Sequence, residues 1–157
     1  MAKYNIKEKK EKKAAYRTYM NPDVKDDLYE KIRNKIVLEA KYKDKAYSAR
    51  QLASDLATNV RYISAVCADR FHMNYCELVN SYRINEAMSI LADRRYAKLR
   101  MEDVSEMVGF SNRQSFYSAF FKLQGKTPRQ YRKEFLKVEP AAEKKQGRRG
   151  RPAKQAV

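Results

Sequence analysis

The chain has 157 residues and a formal net charge of +16, from 35 Lys and Arg against 19 Asp and Glu. Four Gly and four Pro are few for the many turns of a β-sandwich or barrel, so the composition favours helices. Two cysteines and one histidine exclude a disulfide scaffold and a four-ligand zinc site with the usual spacing. No window approaches the roughly 20 apolar residues of a membrane span, and the N-terminal sequence has no apolar signal-peptide segment. We therefore expect a cytoplasmic protein with free thiols and without a metal or cofactor.

The positive charge is concentrated at the two ends. Residues 1–20 and residues 137–157 each carry seven basic and two acidic side chains. Both ends have too few apolar residues to fold alone, so we predict disordered basic arms there. A basic chain releases counterions when it neutralises phosphates, which favours nucleic acid as the partner. Solubility or ribosome-like stickiness is the alternative at this point.

The first predicted helix lies within residues 21–47. Asn21 can cap it, Pro22 suits the first helical position, and Asp23 favours the positive end of the helix dipole. One apolar stripe then recurs every four residues, at Val24, Leu28, Ile32, Ile36 and Ala40.

Two further pairs of short helices are predicted, and the second pair echoes the first. The echo matches two sets of residues: Leu52, Leu56, Ala57, Ile63 and Val66 with Val104, Val108, Gly109, Phe116 and Phe120. Each set describes a short helix, a turn and a second helix at an angle, which is a helix-turn-helix unit. A long amphipathic helix, 74–93, joins the unit 48–72 to the unit 101–136. The sequence thus predicts an all-α fold with two helix-turn-helix subdomains and a linker helix.

Local signals mark where these helices begin and end. Ser48 is a predicted cap, and Thr127 before Pro128 is typical of a cap followed by the first helical residue. Gly109 and Gly125 follow helical patterns at positions where a positive φ is needed.

The stretch "DVSEMVGFSNRQSFYSAFFKLQGKTPRQYRKEF" resembles the second half of the AraC-type DNA-binding domain. The family pattern is an apolar pair, Gly-Phe-Ser, spaced aromatics, Gly-x-x-Pro and a Tyr-Arg pair. In this chain the pattern is carried by Val104 and Val108, Gly109, Phe110 and Ser111, Phe116 and Phe120, Gly125 and Pro128, and Tyr131 and Arg132. The part from 48 to 93, including "YRINEAMSIL", is similar to the family's first unit and linker helix. We assign the domain to residues 48–136.

The chain departs from the family pattern at three positions. Ala57 stands where Gly is usual, Cys67 where Phe is usual, and Phe121 where Lys is common. These changes affect local packing and phosphate contacts rather than the fold. Most family members also carry an N-terminal sensor domain, which residues 1–47 are too short to supply. The resemblance to the family's short members therefore implies that this chain does not itself sense a small ligand.

The second helix of such a unit enters the major groove, and its solvent-facing positions read base edges. Those positions are Asn59, Arg61, Tyr62, Ser64 and Ala65 in the first unit and Asn112, Arg113, Gln114, Tyr117 and Ser118 in the second. The resemblance places readout on the same positions. Arg pairs bidentately with guanine and Gln with adenine. We therefore expect Arg113 and Gln114 to contribute most to base readout, and Arg61 to contribute less. Ser64 and Ala65 are short, so the first unit is expected to specify weakly, and partial burial is the alternative for both tyrosines.

Phosphate contacts carry affinity without sequence information. The candidates are Asn59, Arg83, Ser111, Asn112, Lys126 and Arg129. A solvated surface position is the alternative for each of the basic residues.

Other constellations carry no chemistry. "GKT" at 125–127 lacks the first Gly of a phosphate loop, and Cys67, His72 and Cys76 do not make a metal or redox site. No nucleophile–base or paired-carboxylate arrangement is visible, so the chain is not expected to be an enzyme.

The C-terminal arm contains Arg149-Gly150-Arg151-Pro152, which resembles the core of an AT-hook, with Arg148 beside it. In such hooks an extended Arg-Gly-Arg lies in the narrow A·T minor groove, where the negative potential is enhanced. Contact with phosphate alone is the alternative.

These patterns predict a bacterial, sequence-specific transcription regulator that binds double-stranded DNA as a monomer in the nucleoid. RNA polymerase or a separate sensor protein is the further candidate partner. A sequence-tolerant architectural DNA-binding protein is the alternative. RNA binding is a weaker one, because no exposed aromatic platform or sheet is predicted.

Overall fold

The structure, a computed structural model, describes residues 20–136. The predicted C-terminal arm, and the N-terminal arm apart from Met20, lie outside these residues. The described part contains seven α-helices and no strand, which confirms the all-α prediction.

The helices follow one another with short connections. They are α1 (Pro22–Arg33), α2 (Ala49–Asp55), α3 (Val60–Val66), α4 (Tyr75–Leu91), α5 (Met101–Val108), α6 (Arg113–Gln124) and α7 (Pro128–Leu136). A π-helical segment extends α1 over Asn34–Leu38, and another extends α3 over Cys67–Phe71. Single 3₁₀ turns occur at Lys41–Lys43 and Arg94–Tyr96.

The predicted caps are present. Asn21 accepts from the Asp23 N–H at 2.9 Å, and Ser48 accepts from the Gln51 N–H at 3.2 Å. At the start of α7, Thr127 Oγ1 accepts from the Gln130 N–H at 3.2 Å. These bonds satisfy backbone donors that have no partner inside the helix, so the local sequence sets the helix starts.

Two hydrophobic cores share the long helix α4. The first lies among α1, α2, α3 and the start of α4, and the second among the rest of α4, α5, α6 and α7. Leu78 and Val79 belong to the first core, whereas Ile84, Ala87 and Leu91 belong to the second. At 100° per residue, Ile84 lies about 240° around the helix from Leu78. Thus α4 turns different faces towards the two cores.

The apolar stripe of α1 starts one turn later than predicted. Leu28, Ile32 and Ile36 are buried, but Val24 is 51% exposed, and Met20 before the helix is buried in the core. Ion pairs fasten α1 to the extension of α3, with Lys25–Asp69 at 2.8 Å and Arg70–Asp26 at 2.7 Å, and Tyr29 packs 4.7 Å from Phe71 between ring centres.

Residues 41–45, the connecting segment, join the two subdomains from the side. The Tyr42 hydroxyl donates to Glu86 of α4 at 2.5 Å, and Lys43 pairs with the same carboxylate at 2.7 Å. Burial, assisted by this carboxylate, raises the pKa of Tyr42 to about 12, so the hydroxyl remains a donor at neutral pH. Lys45 pairs with Glu106 of α5 at 3.4 Å. The segment therefore contacts both the linker helix and the second unit.

Gly109, which ends α5, packs directly against this segment. Its φ is 102°, and a Cβ there would lie 2.7 Å from the carbonyl oxygens of Tyr42 and Lys43. Only glycine allows both the left-handed conformation and this close backbone approach.

Candidate nucleic-acid interface

The turn before α6 is fixed from inside. Phe110 is buried and lies 5.5 Å from the Phe116 ring centre. The hydroxyl of Ser105, which is buried, donates to the Asn112 carbonyl at 3.3 Å. Phe116 continues the aromatic packing to Phe120 at 5.9 Å. The start of α6 is thus held by its buried side, which leaves the opposite side to solvent.

The outward face at the start of α6 is polar. Asn112 caps the helix by accepting from the Ser115 N–H at 2.8 Å. Arg113, Gln114 and Ser118 are exposed, whereas Tyr117 is half-buried against the second core. The structure therefore brings the residues predicted for readout in the second unit onto one accessible helix end.

Arg113 is held by two neighbours. Its Nη1 lies 3.0 Å from Glu102 Oε1, and its guanidinium lies 4.9 Å from the Tyr117 ring centre, in cation–π contact. The hydrogen bond to the Tyr117 hydroxyl, followed by Glu102, raises the pKa of Arg113, so the side chain is a cation. Sequence reasoning missed Glu102, because a contact across eleven residues and two helices leaves no local pattern.

The first unit has a corresponding face on α3. Asn59 caps it by accepting from the Tyr62 N–H at 3.0 Å. Arg61 and Ser64 are exposed, and Tyr62 is half-buried against the first core. The interpretation of Ala65 as solvent-facing is wrong, because Ala65 is 2% exposed. Since α3 packs against both α1 and α2, more of its surface is buried than one apolar stripe suggests.

Five of the six residues predicted to contact phosphate lie at or near the protein surface. Asn59, Ser111, Asn112 and Arg129 are exposed, and Lys126 pairs with Glu134 at 2.5 Å at the edge of α7.

Arg83 differs from them, because its donors are used inside the protein. Its Nε donates to the Tyr42 carbonyl at 2.6 Å, its Nη2 donates to the Asp44 carbonyl at 3.3 Å, and its guanidinium lies 5.5 Å from the Phe110 ring centre. Burial lowers its pKa. These contacts make Arg83 a link between the connecting segment, α4 and the second unit, and its phosphate contact stays a prediction.

Arg132 of α7 has an unusual environment that the sequence did not reveal. Its Nε and Nη2 are buried without a hydrogen-bond partner. Burial lowers its pKa, while the neighbouring Tyr117 opposes that change. Arg132 is therefore a second cation close enough to Tyr117 to interact with it electrostatically.

The two cysteines are free thiols that differ in exposure. Cys67 is buried, which raises the pKa of its thiol to about 11, and Cys76 is exposed on α4. Across residues 20–136, no group of three or more His, Cys, Asp or Glu side chains is placed to hold a metal. No helix in that range is long and apolar enough to cross a membrane.

Comparison with known proteins supports the helix-turn-helix domain independently of the structure. A family model described as a helix-turn-helix domain matches residues 52–134. YtdP of Bacillus subtilis (strain 168), an uncharacterized HTH-type transcriptional regulator, is 33% identical over 84 residues, which is 54% of this chain and 10% of that protein. The melibiose operon regulatory protein of Escherichia coli (strain K12) is 28% identical over 90 residues, 57% of this chain and 29% of that protein. The matched region is therefore a minor part of both curated relatives.

Solved structures share the fold. The C-terminal domain of AraT, a response regulator from Geobacillus stearothermophilus, superposes with a TM-score of 0.62 at 21% identity, covering 74% of this chain and 88% of that one. The C-terminal domain of the response regulator yesN from Fusobacterium nucleatum gives a TM-score of 0.56 at 24% identity, covering 62% and 92%.

Proposed function

The chain belongs to the AraC-type helix-turn-helix family, and from that premise we propose that it is a transcription regulator that binds specific sequences in double-stranded DNA. It inserts α3 and α6 into successive major grooves. The curated relatives described above are named as a transcriptional regulator and an operon regulatory protein, which supports this role.

The observation that carries the proposal is the polar start of α6. A buried aromatic layer fixes the helix from below, and Arg113 and Gln114 extend from its exposed end. A helix presented in this way can enter the major groove with its first residues near base edges. Arg113 reads guanine and Gln114 reads adenine, and each good pair discriminates by roughly 1–3 kcal/mol.

The remaining contacts have supporting roles. Secondary base contacts come from Arg61, Tyr62, Ser64, Tyr117 and Ser118, and phosphate contacts come from Asn59, Ser111, Asn112, Lys126 and Arg129. Two units in one chain allow a monomer to occupy two half-sites, about one helical turn or 34 Å apart.

Selection of bound duplexes from a random pool at about 150 mM salt tests the proposal, because salt suppresses backbone binding. We expect a motif with two half-sites one turn apart. Replacing Arg113 and Gln114 together with Ala should abolish preference for the half-site under α6. A uniform loss of affinity on all sequences would mean that these residues touch only phosphate.

A sequence-tolerant architectural role is the second candidate, supported by the charge of +16 and by the short Ser64 on α3. It predicts a specificity ratio below about tenfold at physiological salt, whereas specific regulators usually reach about a thousandfold or more. The same selection, yielding no motif, would favour this candidate.

The C-terminal arm adds a minor-groove contact in our proposal. Arg149 and Arg151 lie outside the described residues, and the proposal rests on the sequence Arg-Gly-Arg-Pro and on tethering beside a duplex-binding domain, which raises the effective concentration near DNA. Replacing both with Lys keeps the charge but impairs the narrow-groove fit. Affinity for sites flanked by A-tracts should fall, and unchanged affinity would reduce the arm to a phosphate contact.

A further inference from the structure

The pair formed by Glu102 and Arg113 places an acidic side chain on the face proposed to meet DNA. Glu102 is in the first turn of α5, and Arg113 is the first residue of α6. Their side chains are about half exposed, 48% and 46%. The pKa of Glu102 is lowered, first by its own backbone N–H and also by Arg113, so the carboxylate is charged at neutral pH.

A carboxylate at this position lowers the affinity of the protein for DNA of any sequence. It repels phosphates and neutralises one of the cations that would attract them. The rest of the chain carries a strong excess of positive charge, so Glu102 does not serve backbone binding.

The carboxylate does have a clear effect on the geometry of Arg113. An Arg side chain loses much rotamer freedom when it binds, and fixing it beforehand lowers that cost. Glu102 Oε1 accepts from Arg113 Nη1 at 3.0 Å, the Tyr117 hydroxyl accepts from Nη2 at 3.5 Å, and the Tyr117 ring centre lies 4.9 Å from the guanidinium carbon. Contacts with two side chains fix where the remaining donors point.

We propose that Glu102 is a specificity-determining residue that acts through Arg113, holding the guanidinium against Tyr117 so that it meets a base edge rather than a phosphate. The inference rests on the proposed function and adds a positioning residue to it. Glu102 lowers affinity for all DNA and raises the preference for the correct site, which is how a repulsive element contributes to specificity.

The test compares binding of the full chain to two duplexes: the one selected by the wild-type protein, and a shuffled duplex of the same composition. Glu102→Gln should raise affinity for the shuffled duplex and lower the ratio of the two affinities by about threefold to tenfold, the range expected for ordering one long side chain. The stability of the variant should fall only slightly, since an exposed ion pair contributes little to folding.

Glu106→Gln is the matched control. Glu106 is on the same helix, its side chain is 75% exposed, and it pairs with Lys45 rather than with Arg113. The charge change is the same, so affinity for both duplexes should rise together and the ratio should not change.

Arg113→Ala, alone and combined with Glu102→Gln, distinguishes base readout by Arg113 from the positioning of Arg113 by Glu102. If Glu102 acts through Arg113, its replacement lowers the ratio in the wild type but not in the Arg113→Ala background. Equal effects in both backgrounds, or an unchanged ratio in Glu102→Gln, would overturn the inference. If Arg113→Ala itself leaves the ratio unchanged, the proposed readout by Arg113 fails, and that is a different result.

Discussion

Ala57 and Gly109 occupy corresponding turns of the two units, and both have positive φ, 51° and 102°. The sequence marked Ala57 as a departure from the family's usual Gly, and the structure shows that the left-handed conformation is kept. An L-residue there costs roughly 1–2 kcal/mol, so the first turn contains strain that the second avoids.

Ala57→Gly is therefore expected to increase the free energy of unfolding by about 0.5–1 kcal/mol, because relief of the left-handed strain exceeds the chain entropy that glycine adds. Denaturation in urea measures the change. Ala92→Gly is the control, since Ala92 is also exposed but has a φ of −84°. The control should lose stability, and a loss for both variants would contradict the argument.

Gly109 and Gly125 both have positive φ, but only Gly109 is closely packed, so the two positions distinguish the cost of backbone conformation from the cost of a steric clash. A Cβ at Gly125, with φ of 70°, meets nothing within 4 Å, whereas at Gly109 it meets two carbonyl oxygens at 2.7 Å. Gly125→Ala should cost about 1–2 kcal/mol from backbone conformation alone. Gly109→Ala should cost about 1–3 kcal/mol more, because the connecting segment must move. An equal loss of stability in both variants, measured by thermal unfolding, would show that the connecting segment moves away from residue 109 at no cost.

At the scale of elements, the helix starts were predictable and the surroundings of each helix were not. Asn21, Ser48 and Thr127 act within three residues, so their sequence alone reveals them. Burial of Ala65 and the internal bonds of Arg83 depend on neighbours that are distant in sequence. The polar face of α6 was predictable from periodicity, whereas the partner of Arg113 was not, because it is on another helix.

Asn112, which caps α6, has a second role in the proposed function, as a phosphate contact. Asn112 Oδ1 accepts from the Ser115 N–H, which leaves the amide NH₂ as a donor for phosphate.

Asn112→Asp separates those roles. Asp caps a helix as well as Asn, so the unfolding temperature should be nearly unchanged. The variant loses the NH₂ donor and gains a negative charge, so affinity for every duplex should fall by about tenfold or more. Fluorescence anisotropy with a labelled duplex measures this.

Asn21→Asp is the control for that experiment. It makes the same charge change in the cap of α1, outside the proposed interface. If both variants lose affinity equally, net charge explains the effect and Asn112 does not contact phosphate.

At the scale of the whole molecule, the two units are joined by α4, which both cores share, and by the contacts of the connecting segment. Arg83 joins the connecting segment to α4, and its guanidinium lies against Phe110 in the turn between α5 and α6. Because both cores also include α4, α3 and α6 belong to one assembly rather than to two independent domains.

Arg83→Met should lower the free energy of unfolding by about 2 kcal/mol, because two carbonyls lose a charged donor. It should also loosen the spacing between the units. A duplex with one base pair inserted between the half-sites should bind the wild type much more weakly than the original duplex, and the variant should show a smaller difference. Arg94→Met, at an exposed position, should leave both quantities unchanged. An unaltered insertion penalty in Arg83→Met would mean that α4 alone sets the spacing.

The close approach of Gly109 to the carbonyls of Tyr42 and Lys43 also defines what can be transplanted between relatives. In a hybrid protein, a second unit taken from a relative must present glycine at this turn, because any Cβ would meet the two carbonyl oxygens. A first unit taken without the segment would leave Arg83 and Glu86 without their partners. The portable module for building hybrid proteins is therefore residues 20–136, because α1 contributes Leu28, Ile32 and Ile36 to the first core. A cut between α3 and α4 would separate Arg83 and Glu86 from the segment that they bind.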